Sequence, residues 1–188
     1  MDPKLIEQLS ITQDAISDRT SDKLEALQIV REHDVDSLWN ILGVGVSRIG
    51  IATGANEVVK IAYKHRGLAD SLTEYKLWKY IEKDNPFIDL EGDQSTISYN
   101  PGQETKIFLR DLLAPVLDYN EANSLIVLER CLPVNFQSGD PKMKEIVKNL
   151  SRFGISDAAV NLGFLEARTV CFDYAWLSAD LFSKLENI

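Results

Sequence analysis

A chain of 188 residues, 45% of them hydrophobic, is long enough for one good core or two small lobes sharing a cleft, and its composition is that of a globular protein, so disorder is not the default reading. The excess of 29 acidic over 20 basic residues, a formal charge of −9, repels nucleic-acid phosphates and anionic membranes, and the single basic cluster of Lys60, Lys64, His65 and Arg66 reads as a solvated turn. Cys131 and Cys171 sit far apart within apolar runs, no apolar stretch approaches the ~20 residues of a bilayer span, and the first residues lack a signal core, so the expectation is a cytoplasmic protein with reduced thiols.

In chain order, residues 4 to 32 predict one or two amphipathic helices broken near Ser21 and Asp22, either of which could cap the second. Strand-like runs follow at 38–44, 47–53 and 57–63, separated by Gly45 and by Gly54-Ala55-Asn56, which predicts a three-stranded antiparallel meander. Leu68, Leu72, Tyr75, Leu77, Trp78 and Ile81 give an apolar stripe for a helix over 68–83, ended by Pro86. Residues 84–106 read as a long polar loop with one short strand at 96–99, and a hairpin of strands at 114–118 and 124–129 is placed to extend the first sheet. A polar linker leads to an amphipathic helix over 142–153, stopped by Gly154, and a short helix over 178–185 comes last. Trp39, Trp78 and Trp176 read as core anchors, while His33 and His65 have no ligand-spaced neighbours.

Glycines at Gly43 and Gly45, followed by Ser47, would let backbone N–H groups approach a ligand without a Cβ in the way, although a hairpin often uses glycine for its turn alone. Lys60 interrupts the apolar run Val58-Val59-Lys60-Ile61-Ala62, and alternation puts it on the face opposite Val59 and Ile61. It is either an edge-strand lysine that discourages aggregation or a phosphate-holding lysine paired to a carboxylate on the next helix, where Glu74 stands. Asp157 and Asn161 have turn chemistry as an alternative to catalysis, but Asp173, between Val170-Cys171-Phe172 and Tyr174, needs a partner or a metal.

This order of features resembles the protein-kinase superfamily over about residues 37 to 177, in the short form found in bacterial viruses and archaea: Gly43 through Arg48, the Lys60 strand, Glu74 with Trp78, Asn161 with Gly163, and Asp173 with Tyr174. The resemblance implies an α+β fold, with a five-stranded antiparallel N-lobe sheet and one main helix (37–132), a truncated, mainly helical C-lobe (133–188) and an N-terminal helical extension (1–36). It also implies ATP and Mg²⁺ as cofactors. Lys60 would hold the α- and β-phosphates, Glu74 would hold Lys60, and Asp173 and Asn161 would ligate Mg²⁺. Asp157 would orient the acceptor hydroxyl, Gly43, Gly45 and Ser47 would cover the nucleotide, and backbone groups from Glu129 to Leu132, those of Glu129 and Cys131 among them, would meet adenine.

Two departures bear on activity. The family's His-Arg-Asp appears as Ile155-Ser156-Asp157 with Asn161 four positions on rather than five, and Asp-Phe-Gly appears as Asp173-Tyr174-Ala175 with only thirteen residues after it. Transfer of the γ-phosphoryl group to a protein or small-molecule hydroxyl therefore stands beside two alternatives. One is a catalytically inactive pseudokinase-type module that binds a host protein partner, in the host cytoplasm if the protein is viral; the other is a structural component of a viral particle.

Overall fold

A computed structural model describes residues 3–34, 39–89, 106–134, 140–156, 158, 161–186 and 188. Their elements in chain order are α1 (Pro3–Arg19), α2 (Lys23–His33), β1 (Asn40–Val44), β2 (Arg48–Ala52), β3 (Glu57–Ala62), α3 (His65–Asp84), β4 (Phe87–Asp89) and β5 (Lys106–Phe108). A 3₁₀ turn at Leu109–Leu112 precedes β6 (Val116–Asn120), β7 (Leu125–Glu129), β8 (Leu132–Pro133), α4 (Pro141–Arg152), β9 (Leu162–Leu165), β10 (Arg168–Cys171) and α5 (Ala179–Leu185). The fold is mixed α+β, and no described helix is long and apolar enough to cross a membrane. The chain divides into two compact units, Met1–Tyr75 with Pro115–Arg130, and Lys76–Ala114 with Cys131–Ile188.

The first unit is built on an antiparallel five-stranded sheet of order β1-β2-β3-β7-β6, so the predicted meander and hairpin join as expected. Period-two alternation sends Ile49, Ile51, Val59, Ile61, Leu125 and Val127 to one core, shared with Leu9, Ile16, Ala26, Ile29, Val30 and Trp39. At ~1.5–3 kcal/mol for each large aliphatic side chain buried, this layer is the main source of the unit's stability. The break between α1 and α2 falls where the sequence places it, and the Asp22 carboxylate accepts from the N–H groups of Leu24 and Glu25 at 2.9 and 3.1 Å.

A side chain completes β3 where the sheet leaves off. The β3–β7 ladder ends at Lys60 opposite Ile126, and two residues later the amide of Gln13 takes over. Its Oε1 accepts from Ala62 N–H at 2.7 Å and its Nε2 donates to Ala62 C=O at 2.8 Å, fixing α1 to the end of the strand.

In the second unit β8, β9 and β10 form a three-stranded sheet and β4 pairs with β5. The polar 84–106 segment therefore opens on a strand, Phe87–Asp89, instead of loop, while the strand expected at 96–99 lies outside the described residues. Pro141 opens α4 behind the Asp140 cap, and a Schellman closure ends it: Ile155 N–H bonds Leu150 C=O at 2.9 Å and Gly154 N–H bonds Ser151 C=O at 3.0 Å. Gly154 adopts the φ of 88° that this closure requires. Both cysteines are buried thiols outside any disulfide. Trp39 is a core anchor, but Trp176 is 50% exposed, and its carbonyl accepts from the Ser156 hydroxyl at 3.0 Å.

Candidate functional site

The site in the first unit grows from the sheet face opposite the aliphatic core. Arg48, Gly50, Lys60 and Ile126 share that face by register, Gly50 lying opposite Lys60 and Lys60 opposite Ile126. Lys60 is therefore on the central strand and only 7% exposed, which removes the edge-strand explanation. Helix α3 covers this face with a stripe of Gly67, Ser71 and Glu74, spaced four and three residues apart.

Gly67 sets how closely the helix approaches. A Cβ there would lie 2.5 Å from the Ser47 carbonyl oxygen and 2.9 Å from both Ala62 Cβ and Arg48 Cγ. Two helical turns on, Glu74 arrives over the sheet with no exposed surface, and two cations meet it. Lys60 Nζ donates to Glu74 Oε1 and Oε2 at 2.8 and 3.0 Å, while Arg48 Nη1 and Nη2 donate to Oε2 and Oε1 at 2.9 and 3.2 Å. Four charge-assisted bonds use the ~4 lone-pair positions of a carboxylate. The three side chains sum to one positive charge, in a buried place where an anion is attracted more strongly than in water.

The glycine turn is anchored beside this cluster. Gly45 N–H bonds Arg48 C=O at 2.8 Å, and the Tyr63 hydroxyl lies 2.8 Å from Gly45 C=O and 2.6 Å from Val46 C=O. Burial, and then the negative charge of Asp22, raise the Tyr63 pKa above its ordinary value. The Ser47 hydroxyl donates to Asp70 on α3 at 2.9 Å, so it is engaged with the helix. Gly43 and Gly45 lack positive φ, and an added Cβ would meet nothing within 4 Å at Gly43 and only the Arg48 carbonyl, at 3.5 Å, at Gly45. Neither the local backbone nor packing demands glycine there, in contrast to Gly67.

No protein-family model matches this chain, and no curated protein matches it.

In the second unit the β9–β10 hairpin carries Asn161 and Asp173 just beyond the same end. The last ladder pair is Leu162 opposite Cys171, and beyond it Phe172 N–H bonds Asn161 C=O at 2.9 Å. Asp173 comes next, with the Cys171 thiol donating to its carbonyl at 3.3 Å, so β10 ends two residues before Asp173. Both residues are half-buried. Gly163 passes so close to the neighbouring chain that a Cβ would lie 2.8 Å from Cys131 Cβ, which explains glycine two residues after Asn161. Tyr174 is fully buried and donates to Ala114 C=O at 2.9 Å.

Of the residues expected to carry chemistry, Lys60 and Glu74 meet in the first unit, and Asn161 and Asp173 flank one hairpin in the second. Asp157 lies outside the described residues. The Glu129 N–H is bonded to Pro115 C=O at 2.9 Å, which commits one backbone donor expected to face adenine; Cys131 is buried in the second unit against Ala114, Leu165, Val170 and Phe172. Arg48 is the residue that sequence reasoning missed as a partner of Glu74, 26 positions away. Its signal was an arginine at a buried-face position of an otherwise apolar strand. Among the described residues no three His, Cys, Asp or Glu side chains cluster as a metal site.

Proposed function

We propose that the protein binds ATP with Mg²⁺ in a kinase-like manner and transfers the γ-phosphoryl group to a hydroxyl of a protein or small molecule. The observation that carries this reading is the buried Lys60–Glu74 pair at 2.8 Å, on the central strand of a sheet whose first hairpin holds two glycines that packing does not require. A nucleotide's phosphates need a fixed cation, which Lys60 would supply, and close approach to the backbone, which the absence of a Cβ at Gly43 and Gly45 would permit. The second unit supports the same reading through Asn161 and Asp173 at one end of a hairpin, because amide and carboxylate oxygens suit the hard Mg²⁺ ion bridging phosphates. Lys60 would hold the α- and β-phosphates, Asp173 and Asn161 the metal, and Asp157 the acceptor hydroxyl.

One observation favours a binding module without catalysis. Beyond Asp173 the chain is tied straight back: Ser156 N–H bonds Trp176 C=O at 2.8 Å, and Ser178 N–H bonds Gly154 C=O at 2.6 Å before α5 begins. An acceptor-positioning segment of the usual kind has no place in that stretch.

Thermal-shift titration with ATP and Mg²⁺ tests binding. Saturation at ~100 times Kd stabilises the native state by ~2.7 kcal/mol, or a rise of roughly 5–11 °C for a chain of this size. No shift at millimolar nucleotide sinks the proposal. Given binding, radiolabel transfer abolished by Asp173→Ala and by Asp157→Ala supports the enzyme, and its absence from the wild type leaves the binding module.

A further inference from the structure

We infer that Arg48 is a positioning residue of the nucleotide site: it holds Glu74 by a two-pronged grip, so that Lys60 can turn an N–H to a phosphate without leaving a buried carboxylate short of partners. The inference rests on the nucleotide reading for the phosphate and on geometry alone for the grip.

Glu74 has no exposed surface, so any cation that leaves it must be replaced by another. Lysine is a point charge on a flexible stem, whereas a guanidinium matches both oxygens of a carboxylate in one plane. The structure has both on the same group: Arg48 reaches the two oxygens at 2.9 and 3.2 Å, and Lys60 reaches them at 2.8 and 3.0 Å. With Arg48 in place, Glu74 remains paired when Lys60 gives up one bond. Without it, Lys60 is the remaining cation of the trio, and holding Glu74 competes directly with holding a phosphate.

Arg48 is itself fixed before any ligand arrives. Its Cγ packs where α3 carries Gly67, and its carbonyl accepts from Gly45 N–H at 2.8 Å. The neighbouring Ser47 hydroxyl holds Asp70 of the same helix at 2.9 Å. The glycine turn, the start of β2 and the first three turns of α3 are thereby joined through adjacent residues. The helix carrying Glu74 is held against the sheet by Arg48 and Ser47 as well as by Lys60.

The test compares Arg48→Met, Lys60→Met and the double variant Arg48→Met/Glu74→Gln, each at a temperature where circular dichroism shows it folded. Without ligand, Arg48→Met should lower Tm by about 6 °C or more, and Lys60→Met by less, because the guanidinium grip survives there. With ATP and Mg²⁺, Arg48→Met should weaken Kd about tenfold, as if one molecule in ten had Lys60 available. Removing the carboxylate charge as well should restore affinity toward wild type, a recovery that a merely structural role for Arg48 cannot produce. Wild-type affinity in Arg48→Met, or no recovery in the double variant, overturns the inference. Failure of the wild type to bind ATP with Mg²⁺ overturns the nucleotide reading and the phosphate half with it, while the ligand-free comparison still decides which cation holds Glu74: a larger Tm loss in Lys60→Met overturns the grip.

Discussion

At the scale of single residues, Tyr63 shows how a core side chain reaches the candidate site. Its ring belongs to the aliphatic core and its hydroxyl ties down the glycine turn, so Tyr63→Phe should keep the packing and lose the tie, at a cost of about 1 kcal/mol near neutral pH. The pH dependence follows from the raised pKa. Its folded value lies above the ordinary 10.0, with burial the larger cause and Asp22 the smaller, so folding favours the protonated phenol. That stabilisation is complete below pH 10.0 and declines as pH rises through the folded value. Urea denaturation at a series of alkaline pH values should find wild type losing stability faster than Tyr63→Phe above about pH 10, and parallel curves would remove Tyr63 as the cause.

At the scale of elements, α1 owes its position to packing and to Gln13. Gln13→Leu keeps most of the volume but leaves the Ala62 N–H and C=O without the amide that pairs them at 2.7 and 2.8 Å. The expected loss is ~2–3 kcal/mol, two hydrogen bonds with a desolvation penalty, and amide exchange at Ala62 should accelerate along with it. A loss under ~0.5 kcal/mol would mean that water replaces the amide at no cost. Elements of this first unit were legible in the sequence because each carries a local signal: the Asp22 cap, the alternation of β2 and β3, the stripe of α3. The Lys60–Glu74 pair was legible for the same reason, a charge in an apolar strand and a carboxylate on the next helix. What escaped either lacked a local marker or was set by distant partners. The β9–β10 hairpin turns at Glu166-Ala167 without a glycine or asparagine, Glu166 itself taking a φ of 53°, so it lacked the usual turn marker. Strands β4 and β5 pair across a long polar interval, β8 is two residues long and contains Pro133, and Gln13 and Arg48 find partners 49 and 26 positions away.

At the scale of the whole molecule, each unit offers its own test of the nucleotide reading. Lys60→Met removes the cation proposed to meet phosphate in the first unit and leaves the Arg48 bonds to Glu74. Asp173→Asn keeps the shape of the β9–β10 end and removes a charge suited to Mg²⁺. If Lys60 meets phosphate and Asp173 meets Mg²⁺, the effects of the two variants separate by metal. Lys60→Met should weaken nucleotide binding with and without Mg²⁺, since it loses a direct phosphate contact. Asp173→Asn should bind metal-free ATP about as well as wild type or better, having lost one repelling charge, while the gain in affinity that Mg²⁺ confers should fall at least tenfold. Calorimetric titrations with Mg²⁺ and with EDTA measure the four affinities. An undiminished Mg²⁺ gain in Asp173→Asn would remove Asp173 as a metal ligand of the nucleotide.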